Sequence, residues 1–414
     1  MNSSKAIVAI AMFATCVCAS LVNGQEFAQS YYMQEPFSQP PVSLMSCEQC
    51  QPISDDFCGG AYGSGGGGGL DWRDCLSGFS VGGWAQMGYH SKDRQLSFNQ
   101  HADRANLHQL WMHVEKDATA AEGFGWGGRV DYVYGVDAQD TQAFGINNNH
   151  WDNDWDNGIY GTAMPQAYGE VAYGDSSIKF GHFYTIIGYE VVTAPDNFFY
   201  SHAYTMINSE PFTHTGALFT HNQGEYITMW AGYSAGWDSG FEDNGDAVLA
   251  GTSLVLTDFL TFTYTGVYGR FGEQNAIFTQ ERGQMHSFVT SLELGDFNYV
   301  MQIDLLDTND HQATLVRDTL AVNNYLLYQL MDEVSAGVRF EWYNVANSQT
   351  DSYDIYDLTF GLNIRPCDCV TVRPEVRWDW DRDINSPRIL EANQLTGAAR
   401  NNQMTFGIDA IVGF

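Results

Sequence analysis

The sequence predicts an all-β protein: a transmembrane antiparallel β-barrel of about 16 strands, within a range of roughly 14 to 18. Three observations predict this class. The chain ends on an alternating segment whose last residue is aromatic, similar alternating segments recur through most of the chain, and the connections between them alternate between short and long. Short turns at one end and long loops at the other are typical of outer-membrane barrels.

The N-terminus has the pattern of a secretory signal peptide over residues 1–24. Lys5 is followed by an apolar run from Ala6 to Cys16, and small residues precede Gln25. A cut there is typical of exported proteins. The run is too short for a transmembrane helix, and no other stretch of the chain has the length and apolarity of one.

Residues 25–76 differ in composition from the rest of the chain. They are rich in Gln, Ser, Pro, Cys and Gly and contain a glycine run at 65–69. Gly/Ser-rich tracts behave as flexible linkers. We therefore expect a poorly ordered, disulfide-stapled extension at 25–76, and a barrel at 77–414.

The barrel strands are predicted from period-2 alternation. Most segments are about as long as the 9–11 residues that a tilted transmembrane strand needs. Five connections are short (174–176, 221–224, 257–258, 295–296 and 331–332), whereas those at 136–166 and 188–212 are long. The predicted strands are 79–90, 104–116, 124–135, 167–173, 177–187, 213–220, 225–237, 247–256, 259–269, 285–294, 297–307, 318–330, 333–344, 353–365, 370–381 and 403–414.

The last strand carries the clearest signal. Met404, Phe406 and Ile408 alternate with Thr405 and Asp409, and the chain ends at Phe414. An unpaired strand edge in lipid leaves backbone groups unsatisfied, so a barrel needs a closing strand. A terminal strand Phe is also typical of barrels that the outer-membrane assembly machinery inserts.

Aromatic residues make up 14% of the chain, and many tryptophans fall near predicted strand ends. Aromatic girdles at the lipid–water boundary would explain this placement, although a soluble core is the alternative. The residues expected in the girdles are Trp84, Trp111, Trp126, Trp230, Trp237, Trp342, Trp378 and Trp380.

The formal net charge of −32 excludes one class of partner. A chain with 50 acidic and 18 basic residues should repel nucleic acid. No cofactor is expected, because no P-loop or dinucleotide fingerprint follows a predicted strand. No catalytic set is evident either, so we expect a protein that is not an enzyme.

An even number of cysteines remains after the signal peptide, which suits disulfide formation in an oxidising compartment. With both barrel termini in the periplasm, the turn 366–369 faces the periplasm as well. Cys367 and Cys369 are separated by one residue, which strains a bridge between them. We expect at least one of them to bond to the extension, with two bridges inside the extension as the alternative. The disulfide candidates are Cys47, Cys50, Cys58, Cys75, Cys367 and Cys369.

One oxygen-rich stretch offers a weak calcium candidate. Asp152, Asp154 and Asp156 have the spacing that begins a calcium-binding loop. The glycine comes one residue late, at Gly158, and Ala163 stands where a bidentate Glu belongs. We therefore interpret the stretch as a solvated outer loop, and no other metal site is expected.

Charged residues fall on the face opposite the apolar one. In a barrel this face points into the lumen, where the charges either satisfy one another or select solutes. The pore-lining candidates are Arg129, Asp131, Glu170, Lys179, Glu293, Asp304, Arg339, Glu341, Asp357, Arg365, Arg373, Glu375, Arg377 and Asp379.

Four stretches resemble the signature of a known family: Lys179–Glu190, Ala194–His202, Pro211–Gly216 and Val372–Asp379. They are similar to the OmpL-like β-barrel porin-2 family, and the similarity covers about 79–414. The resemblance implies an outer-membrane porin that lets small hydrophilic solutes or ions diffuse passively among membrane lipids. Porins of this size are often homotrimers. The family assigns no site residues that could be carried over.

Two other interpretations stay open. The first is a structural or adhesive outer-membrane barrel whose lumen is plugged, with 188–212 as the plugging loop. The second is a secreted β-sandwich that binds carbohydrate through its tryptophans, since a sandwich also alternates.

Overall fold

A computed structural model describes residues 78–93, 98–120, 123–143, 151–242, 244–273, 280–347, 350–381 and 402–414. The predicted signal peptide and the extension at 25–76 lie outside these residues, as do Cys47, Cys50, Cys58 and Cys75. Among the described residues, no helix combines the length and apolarity needed to cross a bilayer.

The described chain is almost entirely β-structure. Its short helices are α1 (Ala138–Thr141), a 3₁₀ helix (Ala194–Asp196) and α2 (Tyr204–Ser209). The strands are β1 (Ser80–His90), β2 (Ala105–Lys116), β3 (Phe124–Gly135), β4 (Asp156–Asn157), β5 (Tyr160–Ala163), β6 (Ala167–Tyr173), β7 (Ser176–Tyr184), β8 (Thr213–Gln223), β9 (Ile227–Ser234), β10 (Asp246–Thr257), β11 (Leu260–Glu273), β12 (Gln280–Leu294), β13 (Phe297–Asn309), β14 (Leu315–Met331), β15 (Val334–Asn347), β16 (Thr350–Cys367), β17 (Val370–Asp381) and β18 (Asn402–Gly413).

The strands form one closed antiparallel barrel of sixteen strands. β5 and β6 both pair with β3 and together make one barrel strand, whereas β4 only forms a small hairpin with β5. β1 pairs with β2 on one side and with β18 on the other, which closes the sheet. The predicted fold class is confirmed, and a closed barrel overturns the β-sandwich alternative.

The seam is completed by the last residue. The Phe414 N–H donates to the Gly83 carbonyl at 2.9 Å, and the Gly83 N–H donates back to the Phe414 carbonyl at 3.0 Å. A side chain at Gly83 would also overlap the Phe414 ring. The closing strand expected from the sequence is therefore present and ends at the seam.

Side-chain exposure distinguishes this barrel from a soluble sheet. On β18, Met404 is 66% and Phe406 45% exposed, whereas Thr405 is 0% and Asp409 2% exposed. The apolar face is thus outside and the polar face is buried in the lumen. Such an inversion fits a wall whose solvent is lipid.

The predicted alternation of connection lengths is present. Turns after β6, β8 and β12 are tight, and Gly174, Gly224 and Gly295 adopt φ values of +55°, +64° and +60°. Glycine adopts this left-handed conformation without a steric penalty. The long connection at 136–166 is more structured than expected, because it contains α1, β4 and β5.

Two sequence expectations are wrong in detail. The strand predicted at 177–187 ends at Tyr184, and the following residues leave the wall. Four of the predicted girdle tryptophans are buried instead within luminal clusters: Trp84, Trp111, Trp230 and Trp237. Trp126 and Trp378 are exposed on the outer face, as a girdle requires.

Candidate functional site

Residues 185–212, here called the inserted segment, connect β7 to β8 and contain the 3₁₀ helix and α2. The sequence favoured an outer loop here. Instead, the inserted segment folds into the lumen, where its hydrogen bonds reach β2, β13, β14, β15 and β17. Most of its side chains are buried.

Arg339 of β15 is the central anchor. Its guanidinium donates to the Ser201 carbonyl at 2.6 Å and to the Glu190 carboxylate at 2.7 Å. The same group forms an ion pair with Asp357 of β16 at 3.1 Å. A fully buried arginine of this kind is stable only when its donors are paired.

Two arginines on β17 hold the backbone of the inserted segment. Arg373 donates to the carbonyl of Ala194 at 2.8 Å and to that of Asn197 at 2.7 Å. Its remaining donors form a two-pronged ion pair with Asp409. Arg377 donates to the His202 carbonyl at 2.5 Å.

Acidic wall residues complement these donors by accepting backbone N–H groups. Glu341 accepts from Tyr204 at 2.6 Å and from Thr205 at 2.8 Å, at the N-terminus of α2. Glu375 accepts from Ser201 at 3.0 Å. The wall therefore satisfies both the carbonyls and the amides of an irregular backbone, which would otherwise be costly to bury.

A further anchor lies on the opposite side of the segment. The Tyr200 hydroxyl contacts His108 Nε2 at 2.6 Å, and His108 Nδ1 contacts the Asp137 carboxylate at 2.8 Å. Asp137 precedes α1, so this relay links the inserted segment, β2 and an outer loop. Burial raises the pKa of Asp137, but the neighbouring His108 outweighs it and leaves that pKa below its usual value.

The surroundings of the inserted segment shift the pKa values of Glu190 and Glu210 in opposite directions. Burial favours the neutral form of Glu190, but Arg339 outweighs it and lowers the pKa of Glu190 to about 2. Burial and the adjacent Asp304 carboxylate raise the pKa of Glu210 well above its usual value. Arg339 therefore favours the ionised form of Glu190, whereas burial and Asp304 favour the neutral form of Glu210.

Apolar clusters continue these contacts around the lumen. Ile186 and Ile187 share a cluster with residues of β8–β13, and Val192, Ala194 and Met206 share another with β1, β2, β3, β5 and β18. Each barrel strand has an inward side chain that is at most 6% exposed; for the strand made of β5 and β6, this side chain lies at their junction. We call this set the waist ring: Trp84, Gln109, Asp131, Gln166, Phe183, Leu218, Trp230, Leu249, Val267, Met285, Asp304, Asn323, Glu341, Thr359, Arg377 and Asp409.

The fourteen predicted pore-lining residues divide into two groups. Some remain accessible: Glu293 is exposed, and Arg129, Glu170, Lys179 and Arg365 are partly so. Their role in lining a solute path stays a prediction. The others are buried, and most of them hold the inserted segment or pair with its anchors: Asp131, Asp304, Arg339, Glu341, Asp357, Arg373, Glu375, Arg377 and Asp379.

The weak calcium candidates have other partners. The Asp152 carboxylate accepts from the backbone N–H of Ala143 at 2.9 Å and of Met164 at 2.8 Å. Asp156 accepts from the Gln142 side chain at 2.9 Å. Within the described ranges, no three potential ligands gather as a metal site would require.

Cys367 and Cys369 lie at the turn between β16 and β17, at the barrel end where β18 finishes. Cys369 is disulfide-bonded, whereas Cys367 is an exposed free thiol. The two cysteines therefore do not bond to each other.

Sequence reasoning missed several residues of this site. Glu190, Glu210, Asp409, His108 and Asp137 follow no motif, and their partners lie far away in the chain. Asp409 was visible on the polar face of β18, so the alternation could have identified it.

A sixteen-strand barrel with an apolar exterior, a polar wall and a segment folded into its lumen defines an outer-membrane channel of the porin class. The sequence profile described as "Putative beta-barrel porin-2, OmpL-like" matches residues 78–414. The chain belongs to this family, and its location is the outer membrane. No curated protein matches the sequence significantly.

Solved structures share the fold at low sequence identity. OmpT of Vibrio cholerae with loop L8 deleted is 12% identical, with a TM-score of 0.59 over 81% of this chain and 99% of that one. An anion-selective porin from Comamonas acidovorans is 8% identical, with a TM-score of 0.58 over 81% and 99%. OprB of Pseudomonas putida is 11% identical, with a TM-score of 0.52 over 83% and 96%.

Proposed function

We propose that the protein passes small hydrophilic solutes or ions by passive diffusion, and that the inserted segment sets the cross-section of the path. One observation carries this proposal: the long connection after β7 folds into the lumen and is bonded to the wall. In a barrel of this size the lumen is otherwise wide enough for water. The segment therefore determines which solutes pass.

The entrances of the channel should favour cations weakly. Three of the candidate arginines that could have attracted anions, Arg339, Arg373 and Arg377, are buried and paired with carboxylates, whereas Arg365 stays partly accessible. The net charge of −32 then dominates the field at the entrances. A reversal potential that favours chloride over potassium would contradict this preference.

We propose that the protein is not an enzyme. The acid–histidine–hydroxyl relay of the described residues, formed by Asp137, His108 and Tyr200, is buried and holds the inserted segment in place. Its Tyr hydroxyl faces His108 rather than an open cleft, so the relay has no substrate position.

A homotrimer is the assembly that we propose. The support is that one structure with this fold is described as a trimer form, OmpT of Vibrio cholerae. Chemical cross-linking of the protein in outer membranes should yield a trimer band that survives heating, whereas heating without cross-linker should leave only the monomer. A monomer alone at all cross-linker concentrations would refute the trimer.

Liposome swelling tests the channel function. Liposomes that contain the purified full-length protein should swell in isotonic solutions of small sugars, and the rate should fall as the sugar grows. Heat-denatured protein is the control. Folded, heat-modifiable protein that gives no swelling with any sugar or salt would contradict the proposal.

A structural barrel with a plugged lumen is the second candidate. It is favoured by the waist ring, whose members are at most 6% exposed. The same swelling experiment separates the two functions, because a permanent plug allows no flux under any condition.

A further inference from the structure

Three consecutive aromatic residues of the inserted segment lie against glycines of the wall. Phe198 faces Gly337, Phe199 faces Gly361 and Tyr200 faces Gly407. A side-chain carbon at Gly361 would lie 3.0 Å from the Phe199 ring, and one at Gly407 would lie 2.9 Å from the Tyr200 ring. At Gly337 it would overlap the Phe198 ring outright.

These glycines occupy one continuous row across four neighbouring strands. Gly337 of β15 is the cross-strand partner of Gly361 of β16, which is the partner of Glu375 of β17. Glu375 in turn is the partner of Gly407 of β18. The aromatic triplet thus runs along a shallow track in the wall, which we call the glycine row.

Glycine is an expensive choice at these positions, because it weakens a strand interior and offers no side chain to pack. Glycine at three positions aligned across the strands is explained if an aromatic ring must approach the backbone at each of them. Glu375, the one member that has a side chain, accepts from the Ser201 N–H directly after the triplet. The row is therefore shaped for this part of the inserted segment.

The inserted segment closes the lumen at the level of the waist ring. The ring has a buried member on every barrel strand or strand junction, and the segment fills the space between them with Ile186, Ile187, Met206 and the aromatic triplet. A hydrated path through this level would leave some of these inward side chains accessible to water. The burial of the ring therefore indicates a lumen that the segment narrows strongly, and widening it requires the segment to move.

The contacts that hold the segment allow such a movement. The guanidinium-to-carbonyl bonds from Arg339, Arg373 and Arg377 can be exchanged for bonds to water. The Arg339–Glu190 ion pair and the amide bonds to Glu341 and Glu375 must break with them. The three glycines of the row carry no side chains that interlock with the rings.

We propose that the inserted segment is a gate, held shut by Phe198, Phe199 and Tyr200 seated on the glycine row, and that the channel conducts when the segment moves off the wall as a unit. This inference rests on the proposed channel function. It adds a closed state, a moving part and the residues that stabilise the closed state.

The opening test removes the seated rings from the full-length protein. The triple variant Phe198→Ala/Phe199→Ala/Tyr200→Ala should raise the open probability in planar bilayers about tenfold or more, because each lost ring destabilises the closed state. Phe360→Ala is the matched control, since this neighbour of Gly361 faces outward and is 53% exposed. It should leave the open probability unchanged.

The locking test ties α2 to the wall. The hydroxyls of Ser209 and Thr319 are 2.8 Å apart, so Ser209→Cys/Thr319→Cys can form a disulfide after mild oxidation. The variant is made in a Cys367→Ser background to remove the free thiol. We expect the oxidised variant to remain closed and reductant to restore conduction, with reductant-treated wild type as the control.

The outcomes separate the gate from the channel, provided that each variant retains heat-modifiable mobility. Wild-type closures, a silent locked form and an open triple variant support the gate. A wild type that conducts steadily and ignores both the lock and the ring deletions overturns the gate but leaves the channel function intact. If neither wild type nor the triple variant conducts, the proposed channel function is wrong, and the gate proposal is then wrong as well.

Discussion

Replacing Arg339 with methionine is the sharpest perturbation of the anchored segment. The change removes the bonds to the Ser201 carbonyl and to Glu190, together with the ion pair to Asp357. Methionine fills much of the volume, but both carboxylates stay buried without their cation. Removing one partner of a buried ion pair typically costs about 3–5 kcal/mol.

Much of this loss should fall on the inserted segment rather than on the barrel. The backbone ladders from β14 to β17 do not depend on the side chain of Arg339. If opening of the segment alone carries the loss, amide protection at 185–212 falls by roughly two to three and a half powers of ten, at 1.4 kcal/mol per tenfold change. Protection within β14–β16 should change much less.

Hydrogen exchange followed by mass spectrometry measures this difference directly. Arg270→Met is the control, because Arg270 pairs with Asp246 near the surface and such pairs contribute about 0–1 kcal/mol. Adding Glu190→Gln to Arg339→Met should recover part of the lost protection, since one uncompensated charge is removed. Equal protection at 185–212 in Arg339→Met and Arg270→Met would refute the anchoring argument.

Three further results are expected. Deleting Phe414 removes two backbone bonds from the barrel seam and the closing aromatic, so the yield of heat-modifiable protein should fall severalfold, and a normal yield would contradict the assembly role. Burial and Asp304 raise the pKa of Glu210 in the folded protein, so the stability that its protonated form contributes is fully present below the usual glutamate pKa and is lost as the pH rises from there through the raised pKa. Protection factors at 185–212, corrected for the base catalysis of amide exchange, should therefore fall with rising pH more steeply in wild type than in Glu210→Gln, and identical profiles would exclude this residue. Non-reducing peptide mapping should join the Cys369 peptide to a residue of the extension, and a map without such a peptide disproves the tether; the candidates are Cys47, Cys50, Cys58 and Cys75.

The wall of the barrel could be predicted because each strand carries its own evidence. The alternation on β18, β15 and β16 follows from a lipid-facing exterior and a polar lumen. Tight turns are local as well, and their glycines mark them in the sequence. These features need no knowledge of distant residues.

The interior could not be predicted, because its contacts do depend on residues that are distant in the sequence. Ile186 and Ile187 continue the apolar pattern of β7, but they are buried in a luminal cluster, so the strand was extended too far. Trp84 and Trp111 were expected in the aromatic girdles, yet they stack on each other inside the barrel with ring centroids 4.8 Å apart. A single strand shows which face is apolar, but not whether another segment covers the opposite face.

The charged residues of the lumen could be predicted from the sequence, but their partners could not. Arg339, Arg373 and Arg377 were correctly assigned to the inward face, whereas their partners came from a connection that the sequence favoured as an outer loop. Only the folded topology brings residues about 150–180 positions apart into contact, and no local period encodes that pairing.

The conductance of a variant that lacks the luminal insertion tests the central claim most directly. Residues 190–208 would be replaced by a short Gly/Ser turn, and the folded variant would be compared with wild type in the same planar bilayer. If the inserted segment closes a sixteen-strand channel, the variant should show a steady conductance several-fold above the wild-type mean. An unchanged conductance in a correctly folded variant would contradict the account.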